Sequence, residues 1–210
     1  MKKAHLTLLE PERADDIQDN KSSATNMMQL LMILLGATFC VCEELRAICV
    51  IQPATVGPDA TVKGVITFYQ SSCEDDLMMS VNLEGFQPLS DNGTNTKHGF
   101  HIHEFGDISN GCGSTGGHYN PLGVNHGAPG DAIRHVGDFG NLEQTANGRI
   151  LVNLHDTVAS LFGRHSIIGR AVVLHRTADD LGQGGNAASL VNGNAGPRVG
   201  CCVIGRAKVG

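Results

Sequence analysis

The sequence predicts an all-β fold, an eight-stranded antiparallel Greek-key barrel or sandwich from which two long loops extend. Composition favours this fold, because the chain has 27 Gly and only two Tyr and lacks Trp, as is typical of small, turn-rich β proteins. Apolar residues also recur at every second position in several segments, which is the period of a half-buried strand. Turn sequences such as Asn147-Gly148 separate these segments.

The first 49 residues differ from the rest of the chain. Residues 1–26 are polar, and we expect them to be disordered or to precede the natural start of the protein. An apolar run from Met27 to Val41 has the length of a signal-peptide core and is short for a transmembrane helix. We therefore expect a leader over residues 27–49 and a domain over residues 50–210 that is exported, without a stable membrane span. A signal anchor that keeps the protein on a membrane is the alternative.

The predicted strands follow in order along the remaining chain. Period-two alternation runs from Val62 to Phe68, from Leu77 to Leu83 and later from Ile150 to Leu154. A polar stretch from Gln87 to Lys97 interrupts the pattern and contains the sequon that begins at Asn92. In an exported chain this sequon is a candidate N-glycosylation site.

Candidate metal ligands are concentrated between residues 101 and 175. They are six histidines and one aspartate: His101, His103, His118, His126, His135, Asp138 and His175. Histidines alternate with apolar residues in the segment 99–106. A strand would therefore direct His101 and His103 to one face and Phe100 and Ile102 to the other. Three further histidines and the aspartate lie in Gly-, Pro- and Asn-rich sequence typical of a loop. Imidazole suits zinc and copper, and this set predicts two neighbouring metal sites.

Four segments resemble the copper/zinc superoxide dismutase family. They are Gly99–Gly106, His135–Asp138, Gly169–His175 and Gly193–Gly196. The resemblance implies one copper ion and one zinc ion per subunit. Copper would be held by His101, His103, His118 and His175, and zinc by His118, His126, His135 and Asp138. In the implied reaction copper is alternately reduced and reoxidised by superoxide, with dioxygen and hydrogen peroxide as products, while zinc is structural.

The resemblance also implies roles for residues around the ligands. His118 would bridge both metals and act in catalysis by carrying a proton. Arg198 would be the catalytic guanidinium that attracts superoxide to copper. Asp179 would tie the copper ligand His101 to the zinc ligand His126.

Cysteine and surface positions extend the resemblance. Cys112 and Cys201 match the disulfide of the family, and the other five cysteines leave the total odd. A homodimer is implied through Phe105, Gly106, Ile168 and the final strand, although Arg206 stands where an apolar contact is usual. A copper-delivery factor is a further expected partner.

Charge and motif content limit the remaining functions. The net charge of −6 and the lack of a Lys/Arg cluster argue against nucleic-acid binding. The loop Gly184–Asn192 carries no charged residue, so electrostatic guidance of a substrate anion should be weaker than is usual in the family. A non-catalytic copper-binding or copper-delivery protein on the same fold is the alternative. Such proteins often lack a copper ligand or the active-site arginine, whereas this chain has all the expected copper ligands and Arg198.

Overall fold

Ten strands, one short α-helix and two 3-10 helices make up the computed structural model, which describes residues 42–53, 61–87 and 96–208. The strands are β1 (Leu45–Pro53), β2 (Lys63–Gln70), β3 (Leu77–Glu84), β4 (Lys97–His103), β5 (Ser109–Cys112), β6 (Asp138–Glu143), β7 (Arg149–Asp156), β8 (Ala171–His175), β9 (Arg198–Val203) and β10 (Gly205–Arg206). The α-helix α1 spans Ser189–Asn192, and the 3-10 helices span Gly113–Thr115 and Gly163–His165. The predicted all-β class is confirmed.

The main strands pair in the order β6-β4-β8-β9-β1-β2-β3-β7, and β10 pairs with β1. All of these pairings are antiparallel. Neighbours that are distant in sequence, such as β4 with β8 and β9 with β1, are typical of Greek-key connections. Eight strands therefore form the predicted Greek-key β-sandwich.

Strand β4 links the core to the candidate ligands. Its residues Phe100 and Ile102 are fully buried in the main hydrophobic core. Burial of such side chains contributes about 1.5–3 kcal/mol each, so they fix which face of β4 points inward. His101 and His103 therefore leave β4 on the opposite face, as the alternation predicts.

Strand β1 begins inside the segment that the sequence assigns to the leader. Ala47 and Cys49 are buried, whereas Ile48 and Val50 are 38% and 51% exposed. Because these exposed residues are also apolar, the period-two alternation of polar and apolar residues is hidden in this part of the sequence. The compact unit to which the described residues belong starts at Cys42.

Several expectations concern residues outside the described ranges. These are the polar extension 1–26, the apolar run 27–41 and the sequon residue Asn92. Within the described part of the chain, no helix combines the length and apolarity needed to cross a membrane.

Three disulfides join the described cysteines: Cys42–Cys73, Cys49–Cys202 and Cys112–Cys201. The third is the pair that the family resemblance implies. The side chains of the adjacent residues Cys201 and Cys202 belong to different clusters, because successive residues of a strand point to opposite faces. Strand geometry thus assigns each of them its own partner.

Candidate metal centre

Strand register brings the predicted ligands together. His101 on β4 lies opposite Asp138 on β6, and an isolated bridge joins His103 to His118. His175 ends β8, the other neighbour of β4. The seven predicted ligands form two clusters that share one residue: His101, His103, His118 and His175 in the first, and His118, His126, His135 and Asp138 in the second. Within each cluster the ligand atoms lie within 4.8 Å of one another.

Backbone carbonyls orient two imidazoles of the four-histidine cluster. Nδ1 of His103 donates to the carbonyl of Gly116 at 2.9 Å, and Nδ1 of His175 donates to the carbonyl of Gly196 at 2.9 Å. A carbonyl oxygen can only accept, so the proton of each neutral ring is on Nδ1 and a lone pair is on Nε2. These two Nε2 atoms lie 3.4 Å apart, and both can bind one cation.

Asp179 connects the two clusters. Its Oδ2 accepts from Nε2 of His101 at 2.8 Å, and its Oδ1 accepts from Nε2 of His126 at 2.8 Å. The side-chain amide of Asn141 donates to the backbone carbonyl of Asp179 at 2.8 Å and accepts from the backbone N–H of Asp179 at 2.7 Å. Each histidine therefore keeps Nδ1 for its own cluster, and one carboxylate fixes both rings.

Asp138 is the centre of the second cluster. Its Oδ1 lies 2.9 Å from Nδ1 of His118, 3.0 Å from Nδ1 of His126 and 3.1 Å from Nδ1 of His135. The contact with His126 has the distance but not the alignment of a hydrogen bond. Three imidazole nitrogens thus converge on one buried carboxylate oxygen.

Three buried imidazole nitrogens without hydrogen-bond partners in the described ranges indicate that metal ions fit these clusters. Nδ1 of His101, Nε2 of His118 and Nδ1 of His126 are buried and have no hydrogen-bond partner among the described residues. A buried polar atom without a partner costs about 1–3 kcal/mol, and a cation in each cluster would satisfy all three. Three imidazoles with one carboxylate suit tetrahedral zinc, and four imidazoles suit copper. His118 contributes to both, since Nδ1 lies on the zinc side and Nε2 is left for the copper side.

The carboxylates of the site are held ionised. Burial opposes ionisation of Asp138, but hydrogen bonds from His118 and His135 and the close contact with His126 outweigh it and hold the pKa of Asp138 far below its usual range. Burial likewise opposes ionisation of Asp179, and bonds from His101 and His126 lower its pKa to about 2. The zinc cluster therefore presents the negative charge that a dication requires.

Most of the imidazoles are held neutral. Burial, with the nearby His118, lowers the pKa of His101 to about 3, and burial lowers the pKa of His175 to about 4. Burial also lowers the pKa of His103 and of His118. His126 differs, because Asp138 and Asp179 outweigh its burial and raise its pKa to about 9. A metal bound at the second cluster must therefore displace a proton from His126.

Arg198 stands beside the first cluster. The register of β8 and β9 pairs it with His175, and it lines a cavity of about 660 Å³ that exposes part of the metal centre. Among the described residues that line this cavity, Arg198 is the only arginine or lysine. The outer lining includes Leu190 and Val191, which are 42% and 62% exposed.

Two contributors to the site are not predicted as site residues from the sequence, although Gly193 begins one of the four segments that resemble the family. Asn141, on β6, holds the backbone of Asp179 from a residue 38 positions away. Gly193 has a φ of +62°, and a Cβ there would collide with Oδ1 of Asp179 and lie 2.6 Å from Nε2 of His126. Both act through contacts that only the fold creates.

We expect Gly193→Ala to displace the Asp179 carboxylate and to weaken metal binding about 10- to 100-fold, the usual effect of losing a residue that orients a ligand. Gly185→Ala is the matched control, because Gly185 has a φ of +71° in the same loop but an added Cβ meets no atom within 4 Å. Copper and zinc dissociation constants measured by chelator competition should separate the two variants. Equal effects would mean that backbone strain, not the collision, is responsible.

Comparison with known proteins agrees with this geometry. A family model described as copper/zinc superoxide dismutase (SODC) matches residues 62–204, which include all seven ligands. The chain is 41% identical over 186 residues to superoxide dismutase (Cu-Zn) of Paramecium bursaria Chlorella virus 1, covering 88% of this chain and 95% of that protein. It is 45% identical over 186 residues to extracellular superoxide dismutase (Cu-Zn) of Drosophila melanogaster, covering 85% and 99%.

A third relative, extracellular superoxide dismutase (Cu-Zn) of Rattus norvegicus, is 48% identical over 165 residues, which are 78% of this chain and 64% of that protein. The family is thus indicated by two observations, the extent of the sequence similarity and the histidine that the two clusters share. The chain belongs to the copper/zinc superoxide dismutase family.

Proposed function

We propose that this protein is an exported superoxide dismutase, which converts two superoxide ions and two protons into dioxygen and hydrogen peroxide. The observation that carries the proposal is the pair of buried clusters that share His118 at the base of an open cavity beside Arg198. When bound, copper at His101, His103, His118 and His175 supplies the one-electron redox chemistry, and zinc at His118, His126, His135 and Asp138 supplies charge and rigidity.

Residues of the chain bind the substrate and supply a proton. Arg198 is the cation that attracts superoxide to the cavity. His118 lines the cavity, and its Nε2 has no partner among the described residues. This nitrogen can hold and deliver one of the two protons that hydrogen peroxide needs. Asp179 keeps the rings of His101 and His126 in place while the proton moves.

Electrostatic guidance depends on Arg198 alone in this cavity. The outer lining is apolar or amide-bearing, and charged residues are missing from the loop Gly184–Asn192. Because longer-range steering needs charges at the cavity mouth, the catalytic rate should depend only weakly on ionic strength.

Export is supported by relatives that are named extracellular and by the three disulfides, which persist in oxidising compartments. In this proposal the leader lies N-terminal to Cys42 and is removed, the domain follows, and Asn92 carries an N-linked glycan. Expression in a secreting host should give soluble protein that begins near Cys42 and loses mass with a glycosidase. Membrane-bound protein with an intact leader would favour the signal anchor instead.

The functional unit in this proposal is a homodimer loaded by a copper-delivery factor. Phe105 is an exposed aromatic residue next to Gly106, and Ile168 is partly buried, so apolar surface is present at the proposed contact. Arg206 is exposed on the last strand and places a charge near this surface. Sedimentation of the purified protein measures the subunit number.

Superoxide consumption by the full chain loaded with copper and zinc tests the activity. We expect fast turnover that is abolished by His101→Ala, retained by the exposed control His155→Ala, and lowered by Arg198→Ala. Metal content is assayed in every sample. Full metal loading without turnover would contradict the enzyme assignment and favour the copper-binding alternative.

A further inference from the structure

Three short hydrogen bonds hold the guanidinium of Arg198 against the end of β5 and the 3-10 turn that follows it. Nη1 donates to the carbonyl of Cys112 at 2.6 Å and to Oγ1 of Thr115 at 2.9 Å, and Nη2 donates to the carbonyl of Gly116 at 2.6 Å. A guanidinium has five N–H donors. Nε and the second hydrogen of Nη2 have no acceptor among the described residues, so they remain for an anion in the cavity.

Thr115 is the one side chain among these acceptors. It is fully buried, and its hydroxyl donates to the carbonyl of Cys112 at 2.9 Å. Arg198 cannot accept a hydrogen bond, so the hydroxyl must accept from Nη1 while its own hydrogen points to the carbonyl. The orientation of the hydroxyl is therefore fixed by two partners, and Nη1 has an acceptor for each of its hydrogens.

We propose that Thr115 is a positioning residue for Arg198, whose buried hydroxyl fixes the guanidinium plane so that the free N–H groups point at an anion beside His103 and His175. The inference rests on the proposed role of Arg198 in binding superoxide. Without the hydroxyl, Nη1 has one strong acceptor for two hydrogens, since the nearest other contact, the carbonyl of Gly113, is 3.5 Å away. A longer, less directional bond at this distance would leave the plane free to tilt.

Thr115→Val is the informative variant, because valine has the same shape as threonine and preserves packing at a fully buried site. Thr115→Ser is the conservative variant, which keeps the hydroxyl and loses a methyl group. With copper- and zinc-loaded full chain, we expect Thr115→Val to lower kcat/KM about five-fold and to raise the dissociation constant of azide by a similar factor. Thr115→Ser should restore both quantities to within about two-fold of the parent value.

A double-variant cycle shows whether Thr115 acts through Arg198. Thr115→Val should have no further effect on either quantity in an Arg198→Ala background. An additional loss in that background, or unchanged kcat/KM and azide binding in Thr115→Val alone, would overturn the proposal. If Arg198→Ala itself leaves the rate and azide binding unchanged, the role proposed for Arg198 is what fails. Metal content and unfolding temperature, measured in parallel, identify a variant that is merely misfolded.

Discussion

Asp138→Asn is expected to raise the zinc dissociation constant by about a hundred- to a thousand-fold. Oδ1 of Asp138 lies within 3.1 Å of the Nδ1 atoms of three histidines, and the residue is fully buried. Asparagine has nearly the same shape but removes the negative charge that would offset the zinc dication in this buried site. If four ligands share a zinc-binding free energy of about 10–16 kcal/mol, the loss of one ligand costs about 3 kcal/mol. Competition against a chromophoric zinc chelator measures the effect.

Asp131→Asn is the matched control for this prediction. Asp131 is an exposed carboxylate in the same loop and accepts a hydrogen bond from the backbone N–H of Ala128 at 2.9 Å. Asparagine can accept the same bond, so the zinc dissociation constant should stay within about two-fold of the parent value. If both variants bind zinc equally well, the charge of Asp138 does not hold the metal.

Removal of the Cys49–Cys202 disulfide by a double change to alanine should lower the free energy of unfolding by about 2–5 kcal/mol. This disulfide closes a span of 153 residues, and both of its cysteines are buried in the core. It also lies where β1 exchanges one partner strand for another, because β1 pairs with β10 at Ala47 and Ile48 but with β9 from Gln52 onward. A covalent bond at this change of partner holds the two sheets together.

The unfolding temperature should fall by roughly 5 to 15 °C for a domain of this size. Measurements are made at one saturating zinc concentration, since metal bound to the native state adds to apparent stability. The double change of Cys42 and Cys73 to alanine is the comparison, because that disulfide closes only 31 residues and Cys73 is exposed. Its loss should cost about 1.4 kcal/mol less in the chain-entropy model. A larger effect at Cys42–Cys73 would contradict the argument.

The strand that carries two ligands could be predicted well. Alternation around Phe100 and Ile102 requires that His101 and His103 share the other face, and the structure places them in one cluster. This prediction succeeds because the period of a strand is a local property of the backbone. Strand β1 shows the limit of the same reasoning. Its outward residues Ile48 and Val50 are apolar, so the period-two alternation that would identify a half-buried strand is hidden there.

The complete disulfide pairing of the described cysteines could be assigned only from the three-dimensional fold. Cys201 and Cys202 are neighbours in sequence, and the resemblance to a known family gave a partner only for Cys201. The structure directs their side chains to opposite faces of β9, where Cys112 and Cys49 respectively lie. Which cysteine meets which depends on strand order and register, and neither is a local property.

By itself, the sequence determined the fold class, the strand segments with clear alternation and the seven residues able to bind metals, because these follow from side-chain chemistry and from periods of a few residues. The resemblance to a known family added the expectation that His118 is shared between two clusters and that Asp179 joins them. Only the tertiary structure decided that Asn141 holds Asp179 and that Thr115 supports Arg198. Asn141 lies 38 residues from Asp179, and Thr115 lies 83 residues from Arg198. Contacts of this kind form only when distant strands and loops pack together, which local sequence patterns do not encode.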